Sequence, residues 1–197
     1  MEHDREELEF CEEWLTLKKY YFKILTMVTV LADNQKAFRG KIKDLCHSLD
    51  IQSSSANIQK IRESINFLAE NDYIKVIVDN NIYTISLAHA AEKSKKVIKI
   101  KKTWYKLIRE SEGTASWENT LKVFLVITEL AAGDVIKYTE IAEKTGIKNR
   151  TVQSCVKTIT SIDFEDFRIS KEIHTRKNAD GTYITDGQSF TKGIYFE

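Results

Sequence analysis

Residues 135–162 (VIKYTEIAEKTGIKNRTVQSCVKTITSI) carry two short helical patterns that a tight turn separates. Before the turn, side chains suited to burial recur at helical spacing, at Tyr138, Ile141, Ala142 and Thr145. Gly146 ends this first pattern, because glycine adopts a left-handed backbone at little cost. Asn149 is a good N-cap for a second helix, whose buried stripe is Val152, Cys155 or Val156, and Ile159.

The outward face of the second helix carries short polar groups, amides and cations, with no carboxylate. Its members are Lys148, Asn149, Arg150, Thr151, Gln153, Ser154, Lys157 and Thr158. Cations neutralise phosphates, and amide, hydroxyl and guanidinium groups match base edges in the major groove. The stretch therefore resembles a DNA-binding helix-turn-helix with residues 148–159 as its recognition helix. The alternative is a helical hairpin with an ordinary solvated face.

The composition is that of a soluble protein, and its net charge is too close to zero to indicate a nucleic-acid partner. The 197 residues carry a formal net charge of +1, so any nucleic-acid partner must be recognised by a local patch. No apolar run is long enough for a membrane span, and the acidic N-terminus lacks the order of a signal peptide. Three scattered cysteines suit a reducing compartment. We therefore expect a cytoplasmic protein.

The first half of the chain has the order helix, helix, helix, hairpin. Apolar residues at helical spacing, including Phe10 and Trp14, predict a long N-terminal helix whose first part, residues 1–15, is a helical arm. That arm covers the chain's own core or forms a homodimer. Two shorter helices follow, with inward residues Ile42, Leu45 and Leu49, and then Ile58, Ile61, Ile65 and Leu68. Asp79-Asn80-Asn81 predicts a hairpin turn between two β-branched strands.

The second half repeats this order after a small, charged linker at residues 89–95. A basic stretch that includes Lys99, Lys101 and Lys102 comes first, and it suits either a phosphate backbone or a solvated face. The two helical patterns of residues 135–162 follow this basic stretch. Phe167, Ile169 and Ile173 then alternate with polar residues, which predicts a strand with one apolar face, and residues 177–181 form its turn.

The two halves align in their apolar positions. Ile42, Leu45, Leu49 and Ile51 match Tyr138, Ile141, Thr145 and Ile147 without a gap. After two extra residues in the first copy, Ile58, Ile61, Ile65 and Leu68 match Val152, Cys155, Ile159 and Ile162. This repeat predicts an α+β chain with two domains, residues 16–88 and 96–197, each with its own core.

The exposed faces of the two halves differ in charge. The second half adds Lys171, Arg176 and Lys177 on its hairpin to the cations of its recognition helix, so we expect it to be the stronger DNA contact. The first half offers Ser55, Gln59 and Lys60 on the matching helix, together with Glu63. We expect it to read DNA weakly or to serve oligomerisation.

No enzyme motif or metal-site spacing is present. The chain lacks a glycine-rich phosphate loop, and Cys46-His47 is an adjacent pair without the spaced partners of a zinc site. The carboxylates around Phe164 are typical of a solvated turn. We therefore expect neither an enzyme nor a cofactor or metal.

From about Tyr20 onward, the chain resembles a tandem winged-helix protein. The stretches KVIKIKKTWYKLI and IKYTEIAEKTGIKNRTVQSCVKTI are similar to the entry of a winged-helix domain in plasmid and phage replication initiators, and also to winged-helix transcriptional regulators. The resemblance implies sequence-specific binding of double-stranded DNA. The rival interpretation is a winged-helix module that binds proteins and not DNA.

Overall fold

A computed structural model describes residues 7–31, 37–88, 96–131, 134–164 and 167–194. This part of the chain has an α+β fold with seven α-helices and three small antiparallel sheets. The chain divides into two compact units, residues 7–99 and the residues from 100 onward. No helix in the described ranges is both long and apolar enough to cross a membrane. The expected linker, residues 89–95, lies outside them.

The first unit contains four strands and three α-helices along residues 7–87. Their order is β1 (Glu7–Cys11), a short 3-10 helix (Glu12–Thr16), α1 (Lys19–Leu31), β2 (Ala37–Gly40), α2 (Ile42–Ser48), α3 (Ser55–Glu70), β3 (Ile74–Asp79) and β4 (Ile82–Leu87). Strands β2, β4 and β3 form one sheet in that spatial order, with both pairings antiparallel.

The β3–β4 hairpin forms where the sequence predicts it. Asp79 pairs with Ile82 across a two-residue turn, and both turn residues have positive φ angles, 48° at Asn80 and 64° at Asn81. Asparagine tolerates this left-handed backbone, and two such residues make the turn whose twist matches a hairpin. The prediction of a hairpin at this position is therefore confirmed.

The expected inward residues of α2 and α3 form the core of the first unit. Leu45 and Leu49 are buried on α2 and at its end, and α3 buries Ile61, Ile65 and Leu68 at helical spacing. Phe22 and Leu25 of α1 and Ile85 of β4 are also buried. The apolar spacing of the first half therefore predicted its buried helix faces correctly, except at Ile58, which is half-buried.

The expectation of a helical N-terminal arm is wrong for residues 7–11, which form a strand, whereas residues 12–16 form a short 3-10 helix. Leu8 and Phe10 are buried while Glu7 and Glu9 are exposed, which is the alternation of a strand. The strand has a partner, because β1 pairs with β5 (Val97–Lys101). That pairing joins residues about ninety positions apart, so no local signal announced it. Trp14, in the 3-10 helix, is also buried, and neither aromatic ring offers a surface to a second copy.

The second unit repeats the order of elements of the first unit after one additional helix, α4 (Lys102–Glu110). It also contains α5 (Trp117–Glu129), β6 (Val135–Ile136), α6 (Tyr138–Thr145), α7 (Asn149–Ser161), β7 (Phe167–Lys177) and β8 (Tyr183–Ile194). Its sheet has the order β6-β8-β7, again antiparallel. The order helix, strand, helix, helix, strand, strand from α1 to β4 thus recurs from α5 to β8.

Aromatic rings fill the core between the helices of the second unit. Phe124 on α5 stacks on Phe164, with ring centroids 5.1 Å apart, and Trp104 on α4 meets both rings edge-on at 6.0 and 6.2 Å. Val152, Cys155, Val156 and Ile159 pack the buried side of α7 into this core. The buried stripe expected for that helix is confirmed, with Cys155 and Val156 both inside.

One part of the predicted second hairpin differs from the structure. Ile169 is buried as expected, but Ile173 is 56% exposed. Strands β7 and β8 are eleven and twelve residues long, so their outer part extends past the residues that bury Ile169. A register shift between His174 and Thr175 interrupts the alternation farther along the strand, on the side of the hairpin tip.

Candidate nucleic-acid interface

Helix α7 places its polar residues on the side opposite the core. Lys148, Arg150, Gln153 and Lys157 are exposed, as is Asn149, while Thr151 and Ser154 are half-buried. The Ser154 hydroxyl donates to the carbonyl of Arg150 at 3.4 Å. The expected outward face is therefore present, apart from Thr158. That residue is buried, and its hydroxyl donates to the Ser154 carbonyl at 3.1 Å.

The N-terminus of α7 differs from the expected cap. Lys148, not Asn149, is the N-cap residue, and its side chain makes no capping hydrogen bond. Asn149 is the first helical residue. The carbonyl of Lys148 accepts the first bonds of the helix, from the backbone N–H groups of Thr151 at 2.8 Å and Val152 at 3.0 Å. Asparagine was expected at the cap because of its propensity, and the backbone places the cap one residue earlier.

The turn before α7 is fixed by a left-handed glycine and a buried lysine. Gly146 has φ 65° and ψ 19°, the conformation expected from its position after α6. The N–H of Ile147 donates to the Ala142 carbonyl at 3.2 Å. From α5, the Lys122 ammonium donates to the Thr145 carbonyl at 3.4 Å. These contacts set the direction in which α7 leaves the turn.

The β7–β8 hairpin carries three predicted DNA contacts, which differ in their position along the hairpin and in their neighbours. Lys171, near the base of the hairpin, donates to the Tyr138 hydroxyl at 3.2 Å and lies over the same ring at 5.9 Å. Lys177, at the tip, lies 5.9 Å from the centre of the Tyr183 ring. Arg176 is exposed beside it. Lys171 thus ties the hairpin to α6, whereas Arg176 and Lys177 lie at the outer end.

The basic stretch at residues 99–102 does not form a single patch on one element. Lys99 belongs to the first unit and pairs with Glu9 across the β1–β5 sheet, with an N–O distance of 3.1 Å. Lys101 lies over the Trp104 ring at 5.8 Å, and Lys102 is half-buried at the start of α4. Carboxylate pairing lowers the charge that Lys99 offers to a phosphate.

Helix α3 is the counterpart of α7 in the first unit. Ser55, Gln59 and Lys60 are exposed on it, as expected. The Gln59 amide donates to the Glu63 carboxylate at 3.0 Å, so this face combines an amide, a cation and an anion. Ser54 caps the helix by accepting the N–H of Asn57 at 3.3 Å. The α3 face is therefore less suited to a polyanion than the α7 face.

A group of buried ionisable side chains lies on the core side of α7. The sequence pattern did not identify this group. Glu118 and Lys122 are one helical turn apart on α5, and both are less than 5% exposed. Burial lowers the pKa of Lys122 to about 8, and the charge of Glu118 opposes that shift. Burial also raises the pKa of the Cys155 thiol to about 11. Lys122 has a counterpart in the first unit, Lys23 on α1, which is also buried. Extending the repeat alignment to α1 and α5 would therefore have drawn attention to Lys122.

Two further side chains of the hairpin are exposed although their sequence pattern predicted burial. Tyr183 is 70% exposed at the tip and Ile173 is 56% exposed along β7. Their signal in the sequence was an apolar residue in a strand pattern, which indicates burial more often than exposure. Only the length of the hairpin beyond the core makes them accessible.

No group of three or more His, Cys, Asp or Glu side chains in the described ranges is placed to hold a metal ion.

Comparisons with known proteins give no relative of this chain: no family model matches it, and no curated protein or solved structure is significantly similar to it.

Proposed function

We propose that both units are winged-helix domains and that the second binds double-stranded DNA through α7 and the β7–β8 hairpin. The observation that supports this most is the exposed face of α7, which has Lys148, Arg150, Gln153 and Lys157 and no acidic residue anywhere in the helix. In this proposal, α7 enters the major groove and the hairpin tip contacts the backbone beside it.

The charge at the start of α7 supports an anionic partner. A helix N-terminus carries a partial positive charge, so acidic residues stabilise it and basic residues do not. Here the first turn has no acidic residue, and Lys148 and Arg150 add positive charge. This arrangement destabilises the isolated helix slightly, but it favours a phosphate, which benefits from the cations and the helix dipole together.

Residues of the proposed interface divide into two roles. Asn149, Arg150 and Gln153 have the amide and guanidinium groups that bind base edges, and we assign sequence recognition to them. Lys148 and Lys157 on α7, with Arg176 and Lys177 on the hairpin, neutralise phosphates. Such a protein acts as a transcriptional regulator or as a plasmid or phage replication initiator. The two differ in their targets, a promoter operator or repeated sequences at an origin.

The test is fluorescence anisotropy of a labelled random duplex over a salt series. We expect wild-type binding to weaken steeply with salt, because bound cations displace counterions from the phosphates. Replacing Lys148, Arg150 and Lys157 together by alanine removes three cations. It should reduce the slope of log K against log salt by about two, because Lys148 and Lys157 are the phosphate contacts among the three, and it should abolish binding at moderate salt.

A matched control removes the same number of cations elsewhere on the second unit. Lys106, Lys137 and Lys144 are exposed on or next to α4 and α6, and their triple alanine variant should retain most of the binding. Equal losses in the two triple variants would show non-specific attraction to the whole unit. No binding by the wild type at low salt would exclude this DNA interface and favour a protein-binding module.

A further inference from the structure

Strand β3 forms an exposed edge of the sheet in the first unit. The sheet order is β2-β4-β3, and among the strands that the structure describes none pairs with the outer edge of β3. Lys75, Ile77, Val78 and Asp79 are exposed on it, with Ile77 at 68% and Val78 at 54%. A β-branched edge strand of this kind is a template for pairing with another strand.

The corresponding edge strand of the second unit is protected against pairing with another strand, whereas β3 is not. Strand β7 is the edge of the β6-β8-β7 sheet, and it has a register shift between His174 and Thr175 together with the cations Lys171, Arg176 and Lys177. Bulges and cations are the usual protection against edge pairing. Strand β3 pairs with β4 residue for residue along its whole length and has one cation, Lys75.

The hydrogen-bond pattern identifies which backbone groups of β3 point outward. The Ala88 N–H donates to the Tyr73 carbonyl at 3.0 Å, in the same register as the closing pair of the hairpin, Asp79 and Ile82. Bonded and non-bonded pairs alternate in an antiparallel ladder. The odd-numbered residues of β3 thus bond to β4, and the backbone groups of Val76 and Val78 point to the outer edge.

We propose that β3 pairs antiparallel with β3 of a second copy of this chain, about a two-fold axis at Ile77, to form a six-stranded sheet. In this register Val76 meets the partner's Val78, so the outward backbone groups of both strands bond to each other. Ile77 meets its own copy. Lys75 lies opposite the partner's Asp79, so that both ends of the interface have an oppositely charged pair.

The sequence of β3 is self-complementary only in this register. Read in both directions from Ile77, the strand has valine at one step and opposite charges at two steps, Lys75 on one side and Asp79 on the other. A two-fold interface requires this complementarity of a surface with itself. The proposal concerns the first unit alone and does not depend on DNA binding by the second.

Charge reversal tests the pairing by sedimentation velocity over a range of protein concentrations. We expect a wild-type dimer, and we expect Lys75→Asp or Asp79→Lys alone to weaken it roughly tenfold or more, because each puts like charges opposite each other twice. A mixture of the two single variants should form a heterodimer. The double variant, which exchanges the charges, should recover the homodimer and thereby show that the single variants fold.

A cysteine placed on the two-fold axis gives a second measurement. Neighbouring residues of a non-bonded antiparallel pair have Cα atoms about 4.5 Å apart, a distance that a disulfide can bridge. Oxidised Ile77→Cys should form a covalent dimer, whereas Lys75→Cys, two residues from the axis, should not. The three native cysteines are buried. Lys43→Asp, on the exposed side of α2, is the control for charge reversal and should leave the dimer intact.

Three results would overturn the proposal. These are a wild type that remains monomeric at the highest concentration, a dimer that neither charge reversal weakens, and equal cross-linking by Ile77→Cys and Lys75→Cys. A monomeric protein whose β3 pairs only with a strand of a different protein gives the first of these results.

Discussion

The ammonium of Lys122 on α5 donates to the carbonyl of Thr145 at the end of α6, with a distance of 3.4 Å. The first unit has the same contact, because Lys23 on α1 donates to the carbonyl of Leu49 directly after α2, at 3.1 Å. Both lysines are buried, and Leu49 and Thr145 are aligned positions of the repeat. A buried lysine thus binds the end of α2 in the first unit and the end of its counterpart α6 in the second.

The burial of Lys122 predicts a pH-dependent stability. Its pKa is lowered to about 8 in the folded protein, against about 10.4 in an unfolded chain. Between these values the unfolded chain binds more protons, so this residue makes the free energy of unfolding rise with pH, by about 3 kcal/mol at most. Urea unfolding from pH 7.5 to 10.5 should show this gain in the wild type relative to Lys122→Met.

Taking the difference between the two proteins removes the contribution of other groups that titrate in the same range. Cys155 acts in the opposite direction, because its pKa is raised to about 11 and its thiol favours the folded state less as the pH rises. Lys144→Met, on the exposed side of α6, is the surface control. A difference between wild type and Lys122→Met that stays constant with pH would contradict the prediction.

The left-handed turn at Gly146 predicts a cost for any side chain there. Its φ of 65° is unfavourable for alanine, so Gly146→Ala should lower the free energy of unfolding by about 1–2 kcal/mol. Gly146→Asn should lose less, because asparagine tolerates this backbone. Urea denaturation followed by tryptophan fluorescence measures both. Equal losses for alanine and asparagine would point to crowding by the side chain and not to backbone strain.

The proposed division of roles at the DNA interface predicts different effects for Arg150 and Lys177. Arg150→Ala should reduce the preference for a selected target over random DNA by about 1–3 kcal/mol. Lys177→Ala should weaken binding to both DNAs about equally and lower the salt slope by about one. Competition anisotropy with the two duplexes distinguishes these outcomes. Uniform losses for both variants would refute base reading by Arg150.

Burial of all three cysteines predicts that the native protein resists thiol reagents. Cys11, Cys46 and Cys155 are at most 2% exposed, and burial raises the pKa of both Cys46 and Cys155. The thiolate is the reactive form. Reaction with Ellman's reagent at pH 8 should therefore be slow in the native state and should reach three thiols per chain in denaturant. Rapid reaction of one native thiol would contradict the burial of that residue.

Local patterns in the sequence determined the helices that carry the candidate site. Helical spacing identified the buried sides of α3 and α7, from Ile61 to Leu68 and from Val152 to Ile159. Gly146 marked the turn before α7 and the pair Asn80-Asn81 marked the turn of the β3–β4 hairpin, because few residue types adopt a left-handed backbone. The exposed face of α7 could be predicted from its buried stripe, because an amphipathic helix exposes the side opposite its apolar stripe.

Tertiary structure alone decided the features that depend on residues far apart in the chain. Glu7–Cys11 is a strand because β5 pairs with it; the apolar spacing of that segment also fits a helix. Ile173 is exposed because the hairpin is longer than the core that it covers. The sequence shows the period of the burial pattern along a segment, whereas the partner of a strand and the depth of a lysine such as Lys122 depend on how distant segments pack together.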